Sequence, residues 1–156
     1  MFDDEGMEEI KQIFLEESSE GLDIMETGLL NLNMGAADLE VVNDIFRAAH
    51  SIKGGGGTFG FMEVSEFTHG VETILDQMRG GKRSVTHDAV QLLLESVDCL
   101  RAMMDAIRDS SPNDEPRLNN LEERTEFLLS TEDAGEHTPR DESVEALADA
   151  RLPASK

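Results

Sequence analysis

The sequence predicts an all-α fold, an antiparallel four-helix bundle with an additional C-terminal fifth helix. Apolar residues recur at intervals of three and four through most of residues 1–130, and short breaks containing glycine or proline separate the helical segments. No segment alternates apolar and polar residues between turn residues, as a half-buried strand would. Long amphipathic helices joined by short turns bury their apolar faces by packing against antiparallel neighbours.

The first predicted helix covers about residues 4–32. Its apolar stripe contains Met7, Ile10, Phe14, Leu22, Met25, Leu29 and Leu32. Gly21 and Gly28 lie on or near that stripe, so a second helix can approach closely there. Residues 33–37 break the pattern, and Asp38 is a suitable N-cap for the second helix. The second stripe contains Leu39, Val42, Ile45, Phe46, Ala49 and Ile52, and it runs into four consecutive glycines.

Two further long helices and a shorter one follow. The third has the stripe Val64, Phe67, Val71, Ile74, Leu75 and Met78, and Gly80 and Gly81 end it with left-handed geometry. Ser84 or Thr86 can cap the fourth, whose stripe is Val90, Leu93, Leu94, Val97, Leu100, Met104 and Ile107. The fifth contains Leu118, Leu121, Thr125 and Leu128. We therefore predict one domain in residues 1–130 and, because residues 131–156 lack a sustained stripe, a disordered linker or tail.

The charge balance restricts the partners that this chain can have. With 34 acidic against 13 basic residues, the net charge of −21 opposes nucleic acid and anionic membranes and favours a basic protein partner. The single cysteine, Cys99, permits no internal disulfide and predicts a buried thiol in a reducing compartment. The acidic N-terminus does not resemble a signal peptide, and no apolar run is long enough to span a membrane. We expect a soluble cytoplasmic protein without membrane insertion.

A histidine stands beside the run of glycines in the second helix. On a helical wheel His50 falls at the edge of the apolar arc beside Phe46, with Lys53 and Gly54 one turn further on. Each glycine inside a helix costs about 0.8 to 1 kcal/mol relative to alanine, so four together cost about 3 to 4 kcal/mol. Either the helix ends or bends there, or its surface is kept bare so that another protein reaches His50. A single glycine would end a helix, which favours the bare surface.

The third helix offers a carboxylate for this histidine. Glu72 belongs to a polar stripe that also contains His69, and an antiparallel hairpin can bring that stripe beside His50. A carboxylate bound to one ring nitrogen fixes the tautomer and leaves the other nitrogen as the nucleophile. Lys53 could then balance the charge of an incoming phosphoryl group. The residues alone leave open an ordinary, partly buried His–Glu pair.

Other motifs do not carry the chemistry that they suggest. Gly55, Gly57 and Gly60 satisfy G-x-G-x-x-G, but a dinucleotide site needs a strand before that motif and here a helix precedes it. A di-iron bundle needs Glu-x-x-His twice, whereas this chain has His69-x-x-Glu72 once and in reverse order. We predict no metal site, with a metal-binding bundle kept as an alternative that metal analysis would test.

Two segments carry a family resemblance. FRAAHSIKGGGGTFGF, residues 46–61, and THGVETILDQMRGG, residues 68–81, closely resemble the N-terminal histidine-containing phosphotransfer domain of chemotaxis-type histidine kinases. The resemblance covers roughly residues 4–130, and the combination of AHSIKGG, TFGF and TH-x-x-E is specific. It implies that His50 is phosphorylated on its outer nitrogen and that Glu72 binds the other nitrogen. Lys53 and His69 would complete the hydrogen-bonded surroundings.

The resemblance also implies the partners. A separate ATP-binding kinase domain, often across a dimer, would phosphorylate His50, and a response regulator's aspartate with bound Mg²⁺ would take the phosphoryl group. ATP and Mg²⁺ then belong to the partners, no cofactor belongs to this chain, and the domain is monomeric. The expected regulator-docking residues are Phe46, Gly54, Gly55 and Gly57. The alternative is a non-catalytic helical docking module that binds a basic partner.

Overall fold

All regular structure in the computed structural model, which describes residues 4–32 and 38–131, is helical. Five helices follow one another: α1 (Asp4–Asn31), α2 (Leu39–Phe59), α3 (Met62–Arg79), α4 (His87–Asp109) and α5 (Glu115–Ser130). The all-α prediction is confirmed, and the helices cover the predicted segments. The predicted break at residues 33–37 and the predicted tail after Thr131 lie outside the described residues.

The first four helices surround one apolar core. α1 packs against α2 and α4, α3 packs against α2 and α4, and within the described ranges the diagonal pairs α1–α3 and α2–α4 do not meet. α5 covers the contact between α3 and α4. The largest fully buried side chains are Phe14, Leu22, Met25, Leu29, Val42, Ile45, Val71, Ile74, Leu75, Met78, Leu93 and Leu100. Most of each predicted stripe is buried, including Leu118 and Leu121 of α5, but Met7 and Leu39, which the spacing places on the stripes of α1 and α2, are exposed near the start of those helices.

The helix ends follow from local capping. Asp38 accepts a hydrogen bond from the Glu40 amide at 2.9 Å, and Thr86 accepts one from the Ala89 amide at 3.1 Å, so Thr86 caps α4. Gly60, with φ 90°, lets α2 turn into α3 through only two residues. At the end of α3 Gly81 adopts the left-handed conformation with φ 77°, whereas Gly80 has φ −86° and does not.

Glycines allow close approach in two pairs of helices, α1 with α2 and α3 with α5. A Cβ atom on Gly28 of α1 would lie 2.6 Å from Cγ1 of Ile45 in α2, and one on Gly21 would lie 3.3 Å from Cδ1 of Ile52. On the other side of the bundle, a Cβ atom on Gly70 of α3 would lie 2.9 Å from Cγ2 of Thr125 in α5. These glycines set the spacing of α1 against α2 and of α5 against α3.

Arg83, in the turn between α3 and α4, anchors the end of α5. Its side chain is buried, and Nε donates to Oε1 of Gln77 at 2.7 Å. Nη2 donates to the carbonyl oxygens of Leu128 at 3.0 Å and Thr131 at 3.2 Å. A cation at these carbonyls complements the negative end of the helix dipole, beside the capping hydrogen bond from the Thr131 amide to the Leu128 carbonyl.

Candidate functional site

His50 lies on the exposed edge of α2, with 63% of its side chain accessible. The two-residue connection makes α3 return antiparallel along α2, which brings Glu72 opposite His50. Nδ1 of His50 is hydrogen-bonded to Oε2 of Glu72. The structure thus joins the two residues that the sequence proposes as nucleophile and orienting acid.

The Glu72 carboxylate is held between two basic side chains. Only 10% of this side chain is exposed, and Nζ of Lys53 donates to Oε1 at 2.5 Å while His50 occupies Oε2. Burial on its own raises the pKa of Glu72, but the hydrogen bonds and charges of Lys53 and His50 outweigh it and hold that pKa below its ordinary value. Glu72 is therefore a carboxylate at neutral pH.

The ionised carboxylate determines the state of the imidazole. Because a carboxylate only accepts hydrogen bonds, the network assigns Nδ1 as the protonated nitrogen of the neutral His50 ring, and in that tautomer Nε2 carries the lone pair. Nε2 is on the far side of the ring from Glu72, and the ring is mostly exposed. The arrangement presents an electron-rich nitrogen to an incoming electrophile.

Phe46 packs beside the histidine. Its ring stacks on the His50 ring with 6.0 Å between the centroids and an interplanar angle of 12°. Cζ of Arg79 lies 3.7 Å from the centroid of the same Phe46 ring. Sequence reasoning missed Arg79, because a basic residue in the last turn of a helix normally indicates a solvated side chain that complements the dipole.

The four glycines differ in what surrounds them. α2 runs through all of them to Phe59, so the explanation that the helix ends at these glycines is wrong. A Cβ atom on Gly54 would meet nothing within 4 Å, and one on Gly57 would lie at an ordinary 3.5 Å from Oγ of Ser65. Both glycines are exposed, which agrees with a bare surface beside His50.

The next two glycines serve packing. A Cβ atom on Gly55 would lie 3.1 Å from the Phe14 ring, because one residue step rotates Gly55 away from the open surface towards α1. One on Gly56, which is buried, would lie 3.1 Å from the Phe61 carbonyl oxygen. The expected docking surface, which included Gly55, therefore narrows to Phe46, Gly54 and Gly57.

His69 is not brought into the hydrogen-bonded cluster. Its residue is exposed, and among the described residues its ring makes no hydrogen bond with His50, Lys53 or Glu72. Lys53 and His50 already occupy one Glu72 oxygen each. The backbone carbonyl of His69, not its ring, accepts a hydrogen bond from Oγ1 of Thr73 at 2.8 Å. The structure therefore does not place the His69 ring in the hydrogen-bonded network that the resemblance implies.

The remaining sequence predictions concern metals, membranes and the cysteine. Among the described residues, no three His, Cys, Asp or Glu side chains cluster closely enough to hold a metal ion. Within the same ranges, no helix combines the length and apolar character that crossing a bilayer requires. Cys99 is buried as predicted, and burial raises the pKa of its thiol.

An exposed imidazole on a helical bundle, with one nitrogen bound by a carboxylate and the other open, has the geometry that a phosphotransfer histidine requires. Comparison with protein families agrees with that class. The sequence profile of the Hpt domain matches residues 9–110, and the chain belongs to this family.

The chain is also similar to longer chemotaxis proteins. It is 43% identical over 126 residues to the chemotaxis protein CheA of Rhizobium meliloti, a match that covers 81% of this chain and 17% of the relative. It is 41% identical over 139 residues to CheA of Salmonella typhimurium, covering 88% of this chain and 20% of the relative. The chain thus spans about a fifth of the length of these relatives.

Two solved structures are similar to this one. The solution structure of the histidine phosphotransfer domain of CheA superposes with a TM-score of 0.71 at 30% identity, covering 86% of this chain and 99% of that one. The phosphorylated P1 domain of CheA3, solved in complex with CheY6 from R. sphaeroides, gives a TM-score of 0.65 at 26% identity. That match covers 76% of this chain and 97% of the P1 chain. The four-helix architecture with its fifth helix is that of a histidine phosphotransfer domain.

Proposed function

We propose that this chain is the phosphocarrier domain of a chemotaxis histidine kinase. His50 accepts a phosphoryl group from the ATP-bound kinase domain and passes it to an aspartate of a response regulator. The observation that carries the proposal is the hydrogen bond from Nδ1 of His50 to Glu72, because it leaves Nε2 as an exposed nucleophile. The CheA relatives and the P1 domain solved with CheY6 support the same assignment.

The chemistry needs little from this chain beyond position and charge. Nε2 of His50 attacks the γ-phosphorus of ATP, a nitrogen–phosphorus bond forms, and the bond to the leaving ADP oxygen breaks. Positive charge develops on the imidazole during attack, and the Glu72 carboxylate at Nδ1 stabilises it. In the second step the aspartate oxygen attacks phosphorus and the nitrogen–phosphorus bond breaks, which returns neutral His50. ATP and Mg²⁺ belong to the kinase domain and the regulator.

Lys53 and His69 have supporting roles in this proposal. The Lys53 ammonium has three N–H donors and Glu72 takes one, so another can donate to a phosphoryl oxygen on His50. His69 lies one turn before Glu72 on α3 and is exposed, so it acts on the bound partner or phosphoryl group and not on Glu72.

The surface formed by Phe46, Gly54 and Gly57 is the proposed regulator-docking surface. The two glycines keep one side of His50 free of side chains, so the aspartate pocket of a receiver domain can approach Nε2. We propose that the domain acts as a monomer in the cytoplasm, where the kinase domain finds ATP and the Cys99 thiol stays reduced.

A labelling experiment tests the proposal. The chain is incubated with the kinase domains of the R. meliloti CheA relative and γ-labelled ATP, and acid-labile, base-stable phosphate is counted. We expect labelling of the wild type and none of His50→Gln. His87→Gln is the matched control, because His87 is an exposed histidine at the start of α4 and away from the site. Full labelling of the His50→Gln chain would contradict the assignment.

A further inference from the structure

Arg79 is fixed by residues from two helices. Its Nε donates to Oδ1 of Asp76, on its own helix α3, at 2.9 Å. Its Nη1 donates to Oδ1 of Asn43, on α2, at 3.1 Å. With Cζ 3.7 Å from the Phe46 centroid, the guanidinium stacks on that ring while two of its N–H groups are occupied. Although 39% of the Arg79 side chain is exposed, these three contacts hold its guanidinium over the Phe46 ring.

Phe46 contacts both this guanidinium and the histidine. Asn43, which binds Arg79, precedes Phe46 by about one turn of α2, and His50 follows it by about one turn. The Phe46 and His50 rings are parallel to within 12°, with 6.0 Å between their centroids. Arg79 and His50 are therefore both stacked on the Phe46 ring.

The stack supplies a restraint that Glu72 does not. The hydrogen bond to Glu72 holds the imidazole at one atom, Nδ1, and a ring held at one atom can still tilt about that bond. With 63% of the His50 side chain exposed, few other groups oppose the tilt. The Phe46 ring is parallel to the imidazole and can oppose this tilt because it is itself held, on its buried part by the core and on its ring by Arg79.

We propose that Arg79 is a positioning residue for phosphoryl transfer, acting through Phe46 to keep the His50 ring in the plane that in-line attack requires. The inference rests on the proposed phosphocarrier function. It requires no contact between Arg79 and the phosphoryl group. Lysine would keep the charge but lose the planar stack and the fork of donors. The Arg79→Lys substitution therefore separates the effect of the planar guanidinium from that of its charge.

The kinetic test uses Arg79→Lys in the labelling assay with the R. meliloti CheA kinase domains, across a range of chain concentrations. We expect kcat to fall about three- to fivefold, the factor that corresponds to losing a guanidinium stacked on a ring and held by two hydrogen bonds, with KM within twofold. In a Phe46→Leu background the same substitution should have no further effect. Arg108→Lys is the matched control, since Arg108 also lies in the last turn of its helix and pairs with an aspartate three residues earlier. It should transfer like the wild type.

A spectroscopic readout separates this inference from the proposed function. In Arg79→Lys the ring-current shift of the His50 Hδ2 proton should move towards its unstacked value, while circular dichroism shows an unchanged fold. An unchanged kcat, or an equal loss in the Phe46→Leu background, would overturn the positioning role even though the wild type is labelled. If the wild type is not labelled at all, the proposed phosphocarrier function fails. The Hδ2 shift is independent of that outcome: if it is the same in Arg79→Lys and the wild type, Arg79 does not orient the His50 ring.

Discussion

α3 packs against α2 on one side and against α5 on the other, and a glutamate with a shifted pKa lies at each contact. On the α2 side, Glu72 is buried between His50 and Lys53, and its pKa is lowered. On the other side, Glu122 of α5 is half-buried, and its pKa is raised by burial first and then by neighbouring carboxylates such as Glu126. The pKa values of two glutamates in one small bundle are therefore shifted in opposite directions.

The difference shows where this acidic chain uses its basic residues. With 34 acidic and 13 basic side chains, most carboxylates cannot have a cation of their own. The α2–α3 contact supplies Glu72 with a lysine and a histidine, because the ionised form is needed to orient His50. α5 is held by apolar burial of Leu118 and Leu121 and by the close approach of Gly70 to Thr125, and it tolerates the unbalanced charge of Glu122.

The largest expected effect is that of Glu72→Gln on labelling of His50. The amide is neutral and no longer stabilises the imidazolium, so we expect the labelling rate to fall about 10- to 100-fold, as for the loss of other groups that orient a histidine. Unfolding at several pH values checks the electrostatics. Because the pKa of Glu72 is lowered, its stabilising contribution is complete above its ordinary value of 4.5 and is lost as the pH falls through the lowered pKa.

Glu122→Gln serves as the control for that rate, because Glu122 lies on α5 away from His50. A Glu72→Gln chain that is labelled within twofold of the wild-type rate would show that the carboxylate is structural only.

The next effect concerns two glycines, Gly70 packed between α3 and α5 and Gly54 exposed on α2. Gly70→Leu places a side chain where even a Cβ atom would lie 2.9 Å from Thr125, so we expect the unfolding free energy to fall by about 1 to 3 kcal/mol. Chemical denaturation measures it. We expect the folded fraction to retain its labelling rate, since the α3–α5 contact is not part of the site.

Gly54→Leu is the matched substitution on α2. A Cβ atom there meets nothing within 4 Å, so stability should rise by several tenths of a kcal/mol from helix propensity, while transfer to a receiver domain slows. Equal transfer rates for Gly54→Leu and the wild type would reject the bare-surface role. An unchanged denaturation midpoint for Gly70→Leu would contradict the close approach of α5.

The smallest expected effect is a gain in stability of about 0.5 kcal/mol for Glu122→Gln at neutral pH. The raised pKa of Glu122 means that its ionised form opposes folding, so wild-type stability loses this increment as the pH rises from 4.5 through the raised value. Paired thermal melts should therefore show the Glu122→Gln variant above the wild type at neutral pH and the two converging in acid, whereas Glu72→Gln should melt below the wild type at neutral pH. A gap that widens in acid would contradict this sign.

Much of the site could be predicted because its geometry is local. The position of Phe46, His50 and Lys53 on one stripe needs only helical periodicity, and a short α2–α3 connection brings Glu72 opposite. The helix boundaries followed from capping residues such as Asp38 and Thr86 in the same way. These predictions depend on neighbours in sequence or on a hairpin between consecutive helices.

The parts that sequence reasoning missed depend on the spacing of packed helices. Gly55 and Gly54 are chemically identical, and only the position of Phe14 on α1 distinguishes a packing glycine from an exposed one. Arg79 looks like a dipole-complementing surface residue until Asn43 and Phe46 are known to lie beside it. No periodicity within one helix reports such contacts between helices.

The two hydrogen bonds from Arg83 to the carbonyls of Leu128 and Thr131 have a consequence for the last turn of α5. They attach the end of α5 to the turn that joins α3 to α4, so that end is held by a side chain as well as by the packed face of the helix. Fraying of α5 from its C-terminal end therefore requires both hydrogen bonds to break.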